Sequence, residues 1–297
     1  MTLAYLFPGQ GSQRPGMLRD LPEDIRAEAG GIEDTAEALR SSTTAQLALL
    51  AAGVAAARAL TEDHGLPPDL VAGHSVGAFA AAVTAGVLTF GEAVEAVRLR
   101  GTLMEEACAG GDWGMLALRG VRLPAAERIV AASTGPLWIA TVNAADQIVL
   151  SGTGAALTAV GQGHRLDVTV ASHCPLQRDT ADRLARHLGA LPRREQTVPY
   201  LSCAGGRRIR ADAAAVLDDL ARSVALPVRW YDATRLLGEL GTTCAIQLPP
   251  GDVLARLLPA AAPDVLALAA DDGGLARTAA RARRRLGSTV DGPPAAP

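Results

Sequence analysis

The pentapeptide Gly73-His74-Ser75-Val76-Gly77 constrains this chain more than any other segment. It follows a short apolar run at 69–72, typical of a strand end, and leads into an alanine-rich stretch at 76–85, typical of a packed helix. Glycines flanking a serine at a strand-to-helix turn let the backbone bend sharply and expose the hydroxyl at the helix N-terminus. Free N–H groups there stabilise an oxyanion. The pattern predicts Ser75 as a nucleophile for acyl chemistry, in a hydrolase or a transferase, against the alternative of an ordinary glycine-rich turn.

Composition narrows the class of protein. With 49% hydrophobic and 20% charged residues in 297, the chain predicts a globular protein with a sizeable core. A net charge of −3 gives no reason to expect nucleic acid. The apolar N-terminus, 1–8, is too short for a signal peptide, and no stretch is expected to span a membrane, so we expect a cytoplasmic protein. Four dispersed cysteines favour buried free thiols over disulfides or a metal site.

The order of predicted elements indicates an α/β fold. A strand at Leu3–Phe7, helices at Ile32–Arg40, Thr44–Glu62 and 90–107, and the elbow itself form the first part. From residue 113 the pattern becomes strand, helix, strand, strand, helix, strand, with the last strand at Asp167–Ala171. This predicts a large α/β-hydrolase-like domain (1–112 and 177–287) carrying an inserted ferredoxin-like βαββαβ subdomain (113–176). Residues 288–297 are expected to be a disordered tail.

A serine hydroxyl needs a base, and five histidines are available. His74 adjoins the serine, but neighbouring side chains on an elbow point apart. His173 follows the predicted strand Asp167–Ala171, and strand ends are where α/β enzymes place site residues. We therefore predict His173 as the base, with an ordinary loop histidine as the alternative.

Arg100 stands out on the helix predicted at 90–107. Arg98 shares an arc with Glu95, Glu105 and Glu106, which predicts a solvated salt-bridge face. Arg100 instead falls among alanine, leucine and methionine side chains. A cation on an apolar arc needs an anion or hydrogen-bond acceptors. The residues alone leave open a structural ion pair or an anion-binding role.

Several motifs occur in the order of a known family: Phe7-Pro8-Gly9-Gln10-Gly11-Ser12-Gln13, Gly73–Gly77, Arg100-Gly101, Asn143 and Ser172-His173-Cys174. Across about residues 3–260 the chain resembles the malonyl-CoA:acyl-carrier-protein transacylases, including acyltransferase domains of polyketide and fatty acid synthases. The resemblance implies that Ser75 takes the acyl group from a coenzyme A thioester as an ester, and that His173 activates it. No permanently bound cofactor is implied.

The resemblance also assigns the surrounding residues. It implies an oxyanion hole formed by the backbone N–H groups of Gln10 and Val76, and places Asn143 in the surroundings of the site. Arg100 falls where the family binds the free carboxylate of the substrate, in a bidentate geometry that suits a guanidinium. The implied substrate is malonyl-CoA, and the implied partner is a small acyl carrier protein.

Some positions depart from the family pattern. Ala78 stands where the fatty acid enzymes have glutamate, and with the segment 142–147 it resembles the transacylase (epsilon) subunit of malonate decarboxylase. That subunit serves a carrier with a phosphoribosyl-dephospho-CoA arm rather than phosphopantetheine. Ser223 replaces the glutamine whose carbonyl commonly orients the histidine, which leaves open whether a side chain is needed.

The leading hypothesis is therefore a malonyl transferase of malonate decarboxylase, with the transacylase of fatty acid or polyketide synthesis as the alternative. An α/β-hydrolase esterase is a different class, and so is a non-catalytic scaffold. The arginine-rich C-terminal helix end, including Arg277, Arg281, Arg283, Arg284 and Arg285, is either a carrier-docking surface or a solvated helix end.

Overall fold

The computed structural model describes residues 2–287; the tail predicted at 288–297 lies outside the described residues. In chain order the strands are β1 (Thr2–Phe7), β2 (Leu70–Gly73), β3 (Trp113–Arg119), β4 (Leu137–Ala144), β5 (Gln147–Thr153), β6 (His164–Arg165), β7 (Tyr200–Ser202), β8 (Arg207–Ile209), β9 (Thr242–Gln247) and β10 (Leu266–Ala269). The α-helices are α1 (Glu23–Glu28), α2 (Ser42–Glu62), α3 (Gly77–Thr84), α4 (Phe90–Cys108), α5 (Leu123–Ala132), α6 (Gly154–Ala159), α7 (Arg178–Gly189), α8 (Ala213–Arg222), α9 (Trp230–Glu239), α10 (Val253–Leu257) and α11 (Gly274–Gly287).

The larger sheet has the strand order β10-β9-β1-β2-β7-β8, in which all neighbours are parallel except β7 and β8. Its central strands are apolar throughout, as expected for strands covered on both faces. Leu3, Tyr5 and Phe7 pack into the core shared with α2, α3 and α4. Ala4 and Leu6 face a second core that contains residues of α9 and α10. The elbow at the end of β2 is therefore mounted on a rigid, buried strand.

The smaller sheet has the order β4-β5-β3-β6, with every neighbour antiparallel. One face, including Leu116 and Leu118, packs on α5 and α6, and Met115, Ala140 and Val149 form a separate cluster. The chain is thus a mixed α/β protein. The hydrolase-like and ferredoxin-like names, and the boundaries 113–176, stay predictions.

Two predicted elements are wrong. The segment 167–171 is not a strand. His164 and Arg165 pair with β3 and the N–H of Leu166 still donates to the carbonyl of Met115, but Val168 then donates to the carbonyl of Leu166 and turns the chain from the sheet edge. The helix predicted at Ile32–Arg40 is reduced to a 3-10 turn at its end, Ala38–Arg40. Asp34 instead accepts hydrogen bonds from the N–H groups of Gly16 and Leu18, which ties this segment to a neighbouring loop.

Among the described residues, helix α2 alone has a length and composition that would suffice to cross a membrane. However, 72% of its most apolar window is buried inside the protein, which is the behaviour of a core helix. All four cysteines are buried free thiols.

Candidate active site

The elbow has the strand–turn–helix form predicted from its sequence. Strand β2 ends at Gly73, helix α3 begins at Gly77, and Ser75 between them has a positive φ of 54°. A Cβ on Gly73 would lie 2.1 Å from the carbonyl carbon of Gly77, and one on Gly77 would lie 2.3 Å from the carbonyl oxygen of Phe7. Both glycines are therefore required by close backbone approach.

Ser75 and His173 come together although they are far apart in sequence. The distance from Ser75 Oγ to His173 Nε2 is 2.7 Å, and His173 Nδ1 lies 2.7 Å from the carbonyl oxygen of Ser223. A carbonyl only accepts, so Nδ1 carries the proton and Nε2 is free to accept the Ser75 hydroxyl proton. The Ser223 hydroxyl is engaged elsewhere, on the carbonyl of Leu220. The question left open at position 223 is answered: the main-chain carbonyl orients His173.

The environment keeps His173 neutral. Burial, followed by the nearby positive charge of Arg100, lowers the pKa of His173 to about 3, and the hydrogen bond to Ser223 only partly opposes this. A neutral imidazole with a free Nε2 is the form that accepts a proton from a nucleophile.

Arg100 lies on α4 with only 1% of its surface exposed. Its Nη2 donates to Ser75 Oγ at 3.1 Å, and its Nη1 donates to Gln46 Oε1. Within residues 2–287 its Nε has no hydrogen-bond partner, and burial lowers the pKa of Arg100 to about 10. Among residues 2–287, the structural ion pair that the residues alone left open is not formed. A buried guanidinium with neutral partners beside the nucleophile is suited to receive an anion.

Gln46 is a site residue that our sequence reasoning missed. It is fully buried on the apolar helix α2, and besides contacting Arg100 it donates to the Met104 sulfur at 3.7 Å. A single amide inside a long run of alanine and leucine was the available signal, since a buried polar side chain needs a polar partner.

Asn143 is also brought to the site. Its Oδ1 lies 3.0 Å from His74 Nε2, and the His74 ring meets the Trp230 ring edge-on at 5.5 Å. His74 is thereby engaged with Asn143 rather than Ser75, in agreement with its exclusion as the base. Burial lowers the pKa of His74.

The loop after β1 packs directly against the elbow. A Cβ on Gly9 would lie 2.7 Å from the carbonyl oxygen of His74. The Gln10 side chain donates to Ser42 Oγ at 3.1 Å, which fixes the loop to the start of α2. In the described part of the chain the backbone N–H groups of Gln10 and Val76 donate no hydrogen bond. Both are therefore available to an oxyanion beside Ser75.

A cleft of about 490 Å³ lies beside these groups, between the two sheets. Its walls include Ser75, Arg100, Asn143, His173, the loop 8–13, and apolar side chains of β3, β5 and α10. No group of three His, Cys, Asp or Glu side chains in residues 2–287 is placed to hold a metal ion.

The C-terminal arginines do not join the site residues just described. Arg283 donates to the carbonyl of His64, and Arg285 donates to the carbonyls of Thr243 and Asp264. These two side chains tie α11 to the larger sheet and its loops, so they are engaged within the protein rather than forming the expected solvated helix end, and carrier docking by the arginine-rich segment stays a prediction.

Known proteins are similar to this chain in sequence and in fold along most of their length. The model of the acyl transferase domain family matches residues 32–284. A malonyl CoA-acyl carrier protein transacylase from Salmonella typhimurium is 34% identical, over 86% of this chain and 91% of that protein. The crystal structure of a malonyl-CoA:acyl carrier protein transacylase from Xanthomonas oryzae superposes with a TM-score of 0.85 at 32% identity, covering 95% of this chain and 97% of the other.

A second solved structure shows such an enzyme with its partner. It contains a malonyl-transacylase in complex with a type II polyketide acyl-carrier protein, and it matches with a TM-score of 0.87 at 31% identity, covering 95% of this chain and all of the other. This chain is therefore an acyltransferase and belongs to the acyl transferase domain family.

Proposed function

We propose that this protein transfers a malonyl group from malonyl-CoA to the thiol of an acyl carrier protein through an ester on Ser75. The observation that carries the proposal is the buried Arg100, whose guanidinium touches the Ser75 hydroxyl and has no carboxylate partner in the described structure. A substrate with a free carboxylate supplies that partner. The malonyl-transferring relatives support the same substrate class.

In the first half-reaction the Ser75 oxygen attacks the thioester carbonyl while His173 Nε2 takes the hydroxyl proton. The N–H groups of Gln10 and Val76 stabilise the negative oxygen of the tetrahedral intermediate. The carbon–sulfur bond then breaks, and His173 gives its proton to the departing sulfur, so that coenzyme A leaves as the free thiol. The Ser223 carbonyl accepts from Nδ1–H throughout and stabilises the transient imidazolium.

The second half-reaction reverses these roles. The carrier thiol gives its proton to His173 Nε2 and attacks the Ser75 ester. Collapse of the second tetrahedral intermediate breaks the ester bond, and His173 returns the proton to Ser75 Oγ. Arg100 holds the malonyl carboxylate in both half-reactions, so that its thioester end stays beside the nucleophile.

For the carrier, we favour one with a phosphopantetheine arm, as in fatty acid or polyketide synthesis, over the malonate decarboxylase carrier. The comparisons support this alternative better than our leading hypothesis. Ala78, the main sign of malonate decarboxylase, is buried in the core and is not part of the cleft wall, so it has no direct contact to offer a carrier. An assay that compares the rate of malonyl transfer to carriers bearing each arm decides between them. Faster transfer to the carrier with the phosphoribosyl-dephospho-CoA arm would favour the malonate decarboxylase assignment.

An esterase is less compatible with the histidine's partner. In Ser-His-Asp hydrolases a carboxylate accepts from the histidine Nδ1–H, whereas here a backbone carbonyl accepts it. We also propose that the larger sheet is α/β-hydrolase-like and the smaller sheet ferredoxin-like. We further propose a cytoplasmic location, because four free thiols are typical of a reducing compartment.

Mass spectrometry tests the central step. Incubation with malonyl-CoA and no acceptor is expected to add one malonyl group at Ser75, and Ser75→Ala is expected to remove it. Labelling that persists in Ser75→Ala, or wild-type protein that is never labelled, overturns the mechanism. Release of free malonate as fast as transfer to a carrier assigns a hydrolase instead.

A further inference from the structure

Helix α8 ends at the histidine's hydrogen-bond acceptor. Ser223 is the C-cap of α8: its N–H donates to the carbonyl of Asp219 at 2.9 Å, and its hydroxyl donates to Leu220. The last carbonyls of a helix have no partner inside it, and the Ser223 carbonyl uses this freedom to accept from His173 Nδ1. The main-chain N–H of His173 also donates to the Val224 carbonyl at 2.8 Å. The position of His173 thus depends on where α8 ends.

The end of α8 is in turn tied to strand β7 by one carboxylate. Asp219 accepts hydrogen bonds from the Tyr200 hydroxyl, at 2.9 Å, and from the Ser202 hydroxyl. The Ser202 oxygen also accepts from the N–H of Gly205 at 2.7 Å, which fixes its hydroxyl direction. No basic side chain in residues 2–287 forms a salt bridge with this carboxylate within 4 Å. Its role is therefore not that of a surface ion pair.

Strand β7 also holds the nucleophile elbow. Tyr200 and Leu201 pair with Val71 and Ala72 of β2, directly before the elbow. The Cys203 thiol, next after Ser202, donates to the carbonyl of Gly73 at 2.7 Å. The nucleophile and the acceptor of its base are consequently both attached to β7, the elbow through β2 and α8 through Asp219.

We propose that Asp219 is a positioning residue, which sets the geometry of the Ser75–His173 pair by fixing the end of α8 to the strand that holds the elbow. This inference rests on the proposed acylation of Ser75. It predicts that weakening the carboxylate-to-hydroxyl contacts misplaces the Ser223 carbonyl and the His173 ring while the cleft and Arg100 stay intact.

The test is the rate of Ser75 malonylation by malonyl-CoA in Asp219→Asn, followed by rapid quench and mass spectrometry. We expect the rate at saturation to fall roughly tenfold or more, as for a small misplacement of a base, with KM within about twofold of wild type. Asp218→Asn is the matched control, because Asp218 is the neighbouring residue and its ion pair with Arg222 is exposed. It should change the rate by less than about twofold.

A second comparison separates positioning from general stability. In a His173→Ala background, Asp219→Asn should cause no further loss, because the group that it positions is gone. If Asp219→Asn does not fold, Tyr200→Phe removes only one of the two hydroxyl contacts and should give an intermediate loss, again only with His173 present. An unchanged rate in the folded variants, or an equal loss without His173, overturns the proposal. Failure of the proposed function would give a different result, because the wild-type protein itself would then not be malonylated at Ser75.

Discussion

Arg100→Met is the most informative single change in this protein, because it removes the charge and keeps a long apolar side chain. The Arg100 guanidinium is buried among neutral partners. The lowering of its pKa to about 10 corresponds to about 3 kcal/mol of desolvation cost. Methionine relieves that cost but leaves the Gln46 amide oxygen unpaired, which costs about 1–3 kcal/mol. The free energy of unfolding should therefore change by less than about 2 kcal/mol.

The effect on catalysis should be much larger. A hydrogen bond to a charged group contributes about 1.5–3 kcal/mol, and a guanidinium makes two to one carboxylate. Losing both is expected to cost about 3–6 kcal/mol, or about 10²- to 10⁴-fold in kcat/KM for malonyl-CoA. The acetyl group has no free carboxylate, so it makes no bond to Arg100 that the substitution could remove. The rate of Ser75 acylation by acetyl-CoA should therefore stay the same or rise relative to the rate with malonyl-CoA.

The assay is Ser75 acylation by each thioester, measured as initial rates by mass spectrometry. Arg98→Met is the control: Arg98 lies two residues away on the same helix, and its Nη2 donates only to the carbonyl of Ala29, at 3.4 Å. It should leave the malonyl-to-acetyl ratio unchanged. A ratio in Arg100→Met within about threefold of wild type would refute the reasoning, since about 0.7 kcal/mol is too little for a buried bidentate pair.

Two further predictions follow from steric and electrostatic features of the site. Gly77→Ala places a Cβ 2.3 Å from the Phe7 carbonyl oxygen and should lower the free energy of unfolding, measured by chemical denaturation, by about 3 kcal/mol or more. Gly189→Ala, which has open space around it, is the control and should be near neutral. Equal losses of stability in the two variants would contradict the steric argument. The pKa of His173 is lowered to about 3 in the folded protein and is near its ordinary value in the unfolded chain. Between these two pH values the unfolded state therefore binds a proton on His173 that the folded state does not. Stability should be complete above about pH 6.5 and fall by about 1.4 kcal/mol per pH unit towards pH 3, a slope that His173→Gln should reduce in denaturation curves measured at several pH values.

The features that the sequence predicted well are those in which side-chain identity is itself the physical requirement. Gly73 and Gly77 are glycines because backbone atoms occupy the space of a Cβ, so the elbow could be located without a structure. The apolar arc of α4 separated the buried Arg100 from Arg98 because a 3.6-residue period fixes which face each occupies. The same helical period wrongly placed Glu105 on the solvated salt-bridge face: its carboxylate accepts hydrogen bonds from Ser41 and Thr43 at the start of α2.

The features that it missed depend on main-chain geometry or on distant partners. His173 was placed after a strand that does not form, since pairing beyond Arg165 depends on a turn at Leu166 and Val168 that no residue type announces. The acceptor of its Nδ1 proton is a carbonyl, which every residue has. The side chain at position 223 therefore does not reveal this role. Only the position of the end of α8 in the structure shows that the Ser223 carbonyl accepts the Nδ1 proton.

Under the proposed function, the buried charge of Arg100 links substrate choice to the strength of the base. Its partners within the described protein are a neutral amide and a neutral hydroxyl, and its positive charge contributes to the low pKa of His173. A bound carboxylate neutralises that charge and removes the repulsion, so the pKa of His173 rises towards a more basic value. A neutral acyl group of similar size leaves both the unpaired cation and the weak base in place. The same residue can thus discriminate twice, once in binding the carboxylate and again in the proton transfer that activates Ser75.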